Sequence, residues 1–146
     1  MMRTETEVRG CLERMLANGP LTALPKSPRD LDVFLALAAS RFEARRAYSE
    51  SAVNDVLESW LETFCAPFGV DHVTVRRCLV DSRLLTRDKA GSAYEVAADR
   101  LSESIEEIAR GLEPAAVMSE LRHARESRKR RAQADGAPGP EGGPQP

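Results

Sequence analysis

Arg76 and Arg77 are adjacent cations in a segment with the features of a short surface helix. Asp71, just before it, is a residue type that caps helix N-termini. The guanidinium of an arginine can donate two hydrogen bonds to O6 and N7 of guanine when its helix lies in the major groove. His72 and Thr74 lie near the same end and can contact bases or phosphates. These residue types and their spacing predict a helix that binds double-stranded DNA.

Further cations belong to neighbouring segments. Arg87 and Lys89 lie in a predicted β-hairpin, in which two strand-like runs flank a loop that contains Gly91. Such a hairpin can place cations on the phosphate backbone or in the minor groove. We expect Arg45 and Arg46, at the end of an earlier helical segment, to bind phosphates as well.

Each of these cations also has a purely structural interpretation. Arg76 can pair with Asp81 or another carboxylate and merely solvate the helix, and surface pairs of that kind contribute little stability. Arg87 and Lys89 can protect a strand edge from aggregation. Asp88 between them lowers the local positive charge. From the residues alone, both interpretations stay open.

Other chemistries find little support in the residues. The sequence has no phosphate-binding glycine loop, no HExxH or GxSxG pattern and only two histidines. Cys65, His72 and Cys78 match no zinc-site spacing and lack a fourth ligand. A redox pair of Cys65 with Cys78 or Cys11 would need a low thiol pKa, whereas free cysteines are most often buried. We therefore expect neither an enzyme nor a bound metal or cofactor.

The elements that must position these residues follow from length and composition. With 146 residues, 42% of them hydrophobic and 30% charged, the chain can form one domain with additional segments. Composition predicts a helical arm at 1–24, a compact domain at 25–98, a charged helical extension at 99–133 and a disordered Pro/Gly-rich tail at 134–146. No signal peptide or apolar span is evident, which favours a cytoplasmic protein without a membrane partner.

The order of the predicted elements indicates a fold class. Within 25–98, apolar residues repeat at helical spacing after each of three capping residues, Ser27, Ser49 and Asp71. The hairpin follows the third helix. This order is typical of a winged helix-turn-helix, a mainly α fold of the α+β type. We expect its helix-turn-helix core and hairpin wing to be flanked by N- and C-terminal helices.

The segment from Leu24 to Val96 also carries a resemblance. The matching stretches are LPKSPRD, RFEARRAYSESAVNDVL and, most specifically, TVRRCLVDSRLLTRDKAGSAY. They resemble a prokaryotic family of domains of unknown function that is found in small transcriptional regulators. The resemblance covers about half of the chain and implies a winged-helix fold of the DNA-binding type, but no particular ligand or operator.

Together these observations predict a bacterial, sequence-specific transcriptional regulator. It would contact DNA with the helix at about 71–82 and the hairpin at 84–96. Regulators of this size usually bind paired half-sites as dimers, so we expect a homodimer through the helices at 4–17 and 99–121.

The charge distribution keeps an alternative open, a winged helix that binds protein, for instance as a subunit of a larger assembly. The formal net charge is -2, which counts against bulk electrostatic binding of nucleic acid of the histone or ribosomal type. Between Asp71 and Lys89, five cations face only three carboxylates, and between Arg122 and Arg131, six cations face one. Carboxylates are frequent in the extension, at Glu103, Glu106, Glu107, Glu113 and Glu120.

Overall fold

The order of secondary structure is four helices, a β-hairpin, and a helical C-terminal part. The computed structural model describes residues 2–136. Its elements are α1 (Glu5–Met15), α2 (Pro28–Ala39), α3 (Glu50–Leu61), α4 (His72–Asp81), β1 (Leu85–Arg87), β2 (Tyr94–Val96), α5 (Ala98–Ser104), a 3₁₀ helix (Glu107–Gly111) and α6 (Pro114–Gly136).

Each of the first four helices begins at a capping residue, and for α2 to α4 it is the residue that the sequence predicts. Thr4 accepts a hydrogen bond from the Glu7 amide at 3.2 Å, and the Glu7 carboxylate accepts one from the Thr4 amide at 2.9 Å. Ser27, Ser49 and Asp71 each accept one from the amide three residues on. The helix starts predicted from these residue types are therefore confirmed.

An aromatic cluster holds α2 against α3. The ring of Phe34 lies 5.5 Å from that of Trp60 and 6.1 Å from that of Phe64, and the last two rings are 4.8 Å apart. Every residue of α2 from Val33 to Ala39 is buried. This helix therefore forms the centre of the core, on which α4 and the flanking helices also pack.

The hairpin is tied to the helical core through Tyr48. Leu85 pairs with Val96 and Arg87 with Tyr94 in an antiparallel register. Tyr48 exchanges two backbone hydrogen bonds with Tyr94, both of 2.8 Å, so the order across the small sheet is Tyr48, β2, β1. The segment between α2 and α3 thereby fixes the position of the hairpin.

The helical extension predicted over 99–133 is interrupted at Ile105, which is extended with φ −142°. The Arg3 amide donates to the Ser104 carbonyl, and the Glu106 amide donates to the Arg3 carbonyl, both at 2.9 Å. These backbone groups therefore bond to the N-terminal segment instead of continuing α5. The chain resumes as the 3₁₀ helix and then as α6.

The apolar faces that we expected at a dimer interface pack within one chain. α1 contacts α2, the 3₁₀ helix and α6, and α5 contacts α2. The buried residues of the regions 4–17 and 99–121 include Val8, Leu12, Leu16, Leu101, Ile105, Leu112 and Val117. Most of these apolar faces are therefore covered within one chain, although Ile108 remains exposed.

None of the helices within residues 2–136 is long and apolar enough to cross a membrane. The predicted disordered tail at 134–146 lies outside the described residues, except for 134–136, which belong to α6.

Candidate nucleic-acid interface

Arg76 points toward α3 and is largely enclosed. Its side chain is 13% exposed, and its guanidinium donates a 2.6 Å hydrogen bond to Oδ1 of Asn54. It also lies 3.8 Å from a carboxylate oxygen of Glu50, which accepts a 3.1 Å hydrogen bond from the Tyr94 hydroxyl. The four side chains link α3, α4 and β2. This arrangement corresponds to the structural interpretation of Arg76.

Arg77, the next residue on the same helix, differs from Arg76 in its exposure and in its partners. It is exposed, and no carboxylate of the described residues lies within 4 Å of it. Arg83, just after α4, is also exposed and adopts a left-handed backbone with φ 67°. The left-handed residue turns the chain sharply from α4 toward β1. The cation that α4 offers to a ligand is therefore Arg77.

The hairpin turn is organised by Asp88. Its carboxylate accepts hydrogen bonds from the hydroxyl of Ser92 at 2.9 Å and from the amide of Ser92 at 2.8 Å, and these bonds lower the pKa of Asp88. Gly91 supplies the left-handed conformation of the turn, with φ 71°. Arg87 and Lys89 flank Asp88 and are exposed. The Asp88 carboxylate is therefore hydrogen-bonded within the turn, and neither Arg87 nor Lys89 forms an ion pair among residues 2–136.

The predicted contacts at the N-terminus of α4 are engaged locally. The Thr74 hydroxyl donates to Asp71 at 3.0 Å. Partial burial opposes ionisation of Asp71, but hydrogen bonds from Thr74 lower its pKa overall. His72 is 28% exposed, and its Nδ1 lies 3.9 Å from the Glu58 carboxylate. Both side chains therefore have a local partner, although Thr74 is exposed like Arg77.

Arg45 and Arg46 lie in the loop that leads to Tyr48. Arg45 is exposed and left-handed, with φ 62°. Arg46 lies over the Tyr48 ring at 4.8 Å and pairs with Glu43 at 2.8 Å. Because Tyr48 pairs with β2, this loop belongs to the same end of the domain as the small sheet. The structure thus associates the loop with the hairpin. Of these two arginines, Arg45 is the one without an acidic partner within 4 Å in the described part of the chain.

The part of the chain that builds this surface defines a family. Residues 20–96 match the model of DUF2087, described as an uncharacterized protein conserved in bacteria. The chain belongs to DUF2087. No curated protein and no solved structure matches it significantly.

The DUF2087 region begins after α1 and ends at the last residue of β2. It therefore contains α2 to α4, the hairpin and the predicted DNA-contacting residues. α1, α5 and α6 lie outside it; α1 and α5 pack on α2, and α6 packs on α1. The resemblance noted in the sequence is confirmed as to the bacterial family.

Thiol and metal chemistry have no geometric support in this DUF2087 protein. Burial raises the pKa of Cys65 to about 12, and burial together with Asp81 raises that of Cys78. Both shifts oppose formation of the reactive thiolate. Among residues 2–136, no group of three or more histidine, cysteine or acidic side chains is placed to hold a metal ion.

Two residues that matter here, Asn54 and Phe68, are not among the predicted site residues. Asn54 accepts a hydrogen bond from Arg76. Its polar type beside a buried helix face was the available signal. Phe68 lies in the loop between α3 and α4, and its side chain is fully exposed. A bulky aromatic residue between proline and glycine was a weak indication of an unusual loop.

Proposed function

We propose that this protein binds double-stranded DNA as a sequence-specific transcriptional regulator, with α4 and the hairpin as its contact surface. The observation that carries the proposal is the set of exposed cations on consecutive elements, Arg77, Arg83, Arg87 and Lys89. None has an acidic partner within 4 Å among the described residues, whereas Arg3, Arg9, Arg14, Arg41, Arg46 and Arg76 do. Cations free of internal partners are available to phosphates and base edges.

The order of elements supports the proposal. Within the DUF2087 region three helices, α2 to α4, precede the hairpin, and the sheet order of Tyr48, β2, β1 is the one in which a winged helix arranges its strands. In a helix-turn-helix, the second helix enters the major groove. That helix would be α4, with Arg77 as the base-contacting residue. Arg87 and Lys89 would bind phosphates, and Arg76 would hold α4 on α3.

The test begins with selection of bound sequences from a random DNA pool. Affinity for an enriched site is then measured by fluorescence anisotropy at several salt concentrations. Arg77→Ala should weaken binding by about 5- to 150-fold, because a paired contact to guanine contributes roughly 1–3 kcal/mol. Lys89→Ala should reduce the magnitude of the slope of log K against log[salt] by about 0.9, as expected for one phosphate contact.

Arg29→Ala is the matched control, since Arg29 is an exposed arginine in the first turn of α2. It should leave both the affinity and the salt slope unchanged. A pool without enriched sequences would refute sequence-specific binding. Equal losses in the Arg29 and Arg77 variants would refute the assignment of α4.

A second candidate is a protein-interaction module, and one observation favours it. The solvent face of α3 carries the exposed carboxylates Asp55 and Glu58, with Glu62 just beyond its end. In a helix-turn-helix, the helix before the groove-binding one crosses the DNA backbone, where carboxylates are repelled. Failure of the DNA selection would favour this candidate.

A further inference from the structure

An open cavity of about 600 Å³ lies between the end of α3 and the start of α4. Its lining combines apolar groups with carboxylates, and none of it comes from α6. The apolar part consists of Leu61, Cys65, Ala66, Pro67, Phe68 and Val70, and the polar part of Glu58, Glu62, Asp71 and His72.

Phe68 is held outward at the edge of this cavity. Its side chain is fully exposed to solvent, and its backbone is left-handed with φ 61°. That conformation is disfavoured for a bulky residue, so the surrounding chain must impose it. A large apolar side chain fully in water on a strained backbone points to an interaction.

The adjacent backbone explains how the position is imposed. Leu21 donates to the Phe64 carbonyl at 3.0 Å and accepts from the Ala66 amide at 2.8 Å. The Gly69 amide closes the turn onto the Ala66 carbonyl at 3.0 Å. A Cβ on Gly69 would lie 3.0 Å from the carbonyl oxygens of both Ala66 and Leu21. The turn is thus packed on its inner side, and Phe68 has only the solvent side available.

The charge of the cavity indicates what can occupy it. Its three carboxylates have no arginine or lysine within 4 Å among the described residues, and only His72 approaches Glu58. The same chain carries a complementary segment in the second half of α6. Its six exposed cations are Arg122, Arg125, Arg128, Lys129, Arg130 and Arg131.

The basic half of α6 is free to meet such a surface. α6 packs on α1, and Arg125 donates to the Ala17 carbonyl at 2.9 Å. The cations from 128 to 131 have no ion pair within the described structure. Arginine side chains can stack on an aromatic ring and lay their methylene stems on apolar surface.

We propose that the cavity beside Phe68 binds the basic half of α6 of a second copy of this chain. Arginines of that helix would stack on Phe68 and pair with Glu58 and Glu62. Because each copy carries both surfaces, the contact can form twice and give a closed dimer. This interface differs from the buried faces of α1 and α5 and does not depend on DNA binding.

Charge reversal on the two surfaces provides the decisive experiment. One variant combines Glu58→Lys with Glu62→Lys, and the other combines Arg128→Glu with Arg131→Glu. Masses are measured by sedimentation equilibrium of the full chain at low and high salt. The natural chain should dimerise at low salt and dissociate at high salt, since exposed ion pairs are screened. Each variant alone should be monomeric, whereas their equimolar mixture should form a heterodimer with both contacts restored.

Two further variants separate the apolar contact from general effects. Phe68→Ala should weaken dimerisation by at least about tenfold, because it removes the stacking surface. Ile108→Ala is the matched control, as Ile108 is an exposed apolar side chain on the 3₁₀ helix, and it should have no effect. Circular dichroism verifies that each variant is folded. A monomeric natural chain at low salt, or a mixture of charge variants that stays monomeric, would overturn the proposal.

Discussion

Replacement of Asn54 by alanine tests the side-chain cluster that joins α3 to α4. Asn54 accepts a 2.6 Å hydrogen bond from Arg76, whose side chain is only 13% exposed. A hydrogen bond to a charged group contributes about 1.5–3 kcal/mol to the free energy of unfolding. Alanine regains roughly 0.6 kcal/mol through its higher helix propensity. The Glu50 carboxylate, 3.8 Å from Arg76 and 53% exposed, compensates little.

The expected net loss is therefore about 1–2 kcal/mol, equivalent to a fall in Tm of roughly 3–6 °C for a chain of this size. Urea denaturation followed by fluorescence measures it, since Trp60 is the only tryptophan and is buried. Asp55→Ala is the control, because Asp55 is exposed on the same helix and makes no hydrogen bond in the described structure; it should be neutral or stabilising.

A double-mutant cycle identifies the interaction itself. Arg76→Met removes the donor but keeps the apolar stem of the side chain. If the 2.6 Å bond is the source of the loss, the coupling energy of Asn54→Ala and Arg76→Met should be about 1–2 kcal/mol. Full stability of Asn54→Ala, or a coupling energy near zero, would show that Arg76 does not depend on this contact.

Three further outcomes follow from the structure. Gly69→Ala should destabilise the protein by about 1–3 kcal/mol in urea denaturation, because the new Cβ would lie 3.0 Å from two backbone carbonyl oxygens; unchanged stability would contradict the tight turn. Alkylation of Cys65 at pH 8, monitored by peptide mass spectrometry, should be on the order of a thousandfold slower in the folded protein than in the urea-unfolded chain. The reason is that the pKa of the folded thiol is raised to about 12, which lowers the fraction of reactive thiolate. Similar alkylation rates in the two states would refute the shielding of Cys65. Asp88 has a lowered pKa in the folded state, so its contribution to stability is present above the unfolded pKa of about 3.9 and is lost as pH falls through the folded value. Asp88→Ala should therefore reduce the dependence of Tm on pH in that acidic range. An unaltered dependence would contradict this role.

Sequence reasoning succeeded where local rules decide the structure. The capping residues predicted the starts of α2 to α4, and the loop with Gly91 predicted the hairpin. It did not separate Arg76 from Arg77, because their difference depends on which side of α4 faces α3. A signal was present, since Arg76 lies three residues before the buried Leu79, on the same helix face.

Long-range contacts account for what sequence reasoning missed in the fold. Nothing local marks Ile105 as extended, because its conformation depends on pairing with Arg3 at the other end of the chain. The exposure of Phe68 likewise follows from hydrogen bonds between its loop and Leu21. Hydrophobic periodicity predicts burial from residue type, so it cannot predict an aromatic side chain that a distant segment holds in water.

The pairing of the N-terminal segment with residues 104–106 has a consequence for biosynthesis. The Glu5 amide donates to the Glu106 carboxylate across a separation of 101 residues. At translation rates of about 5–20 residues per second, α1 would wait roughly 5–20 s on the ribosome before its partner is made. During that interval α2 can already pack on it, but the 3₁₀ helix and α6 cannot, so its buried face, including Val8, Cys11 and Leu12, is covered only in part. The nascent chain is therefore most exposed to chaperone binding and to aggregation at its earliest helix, long after the rest of the core has begun to form.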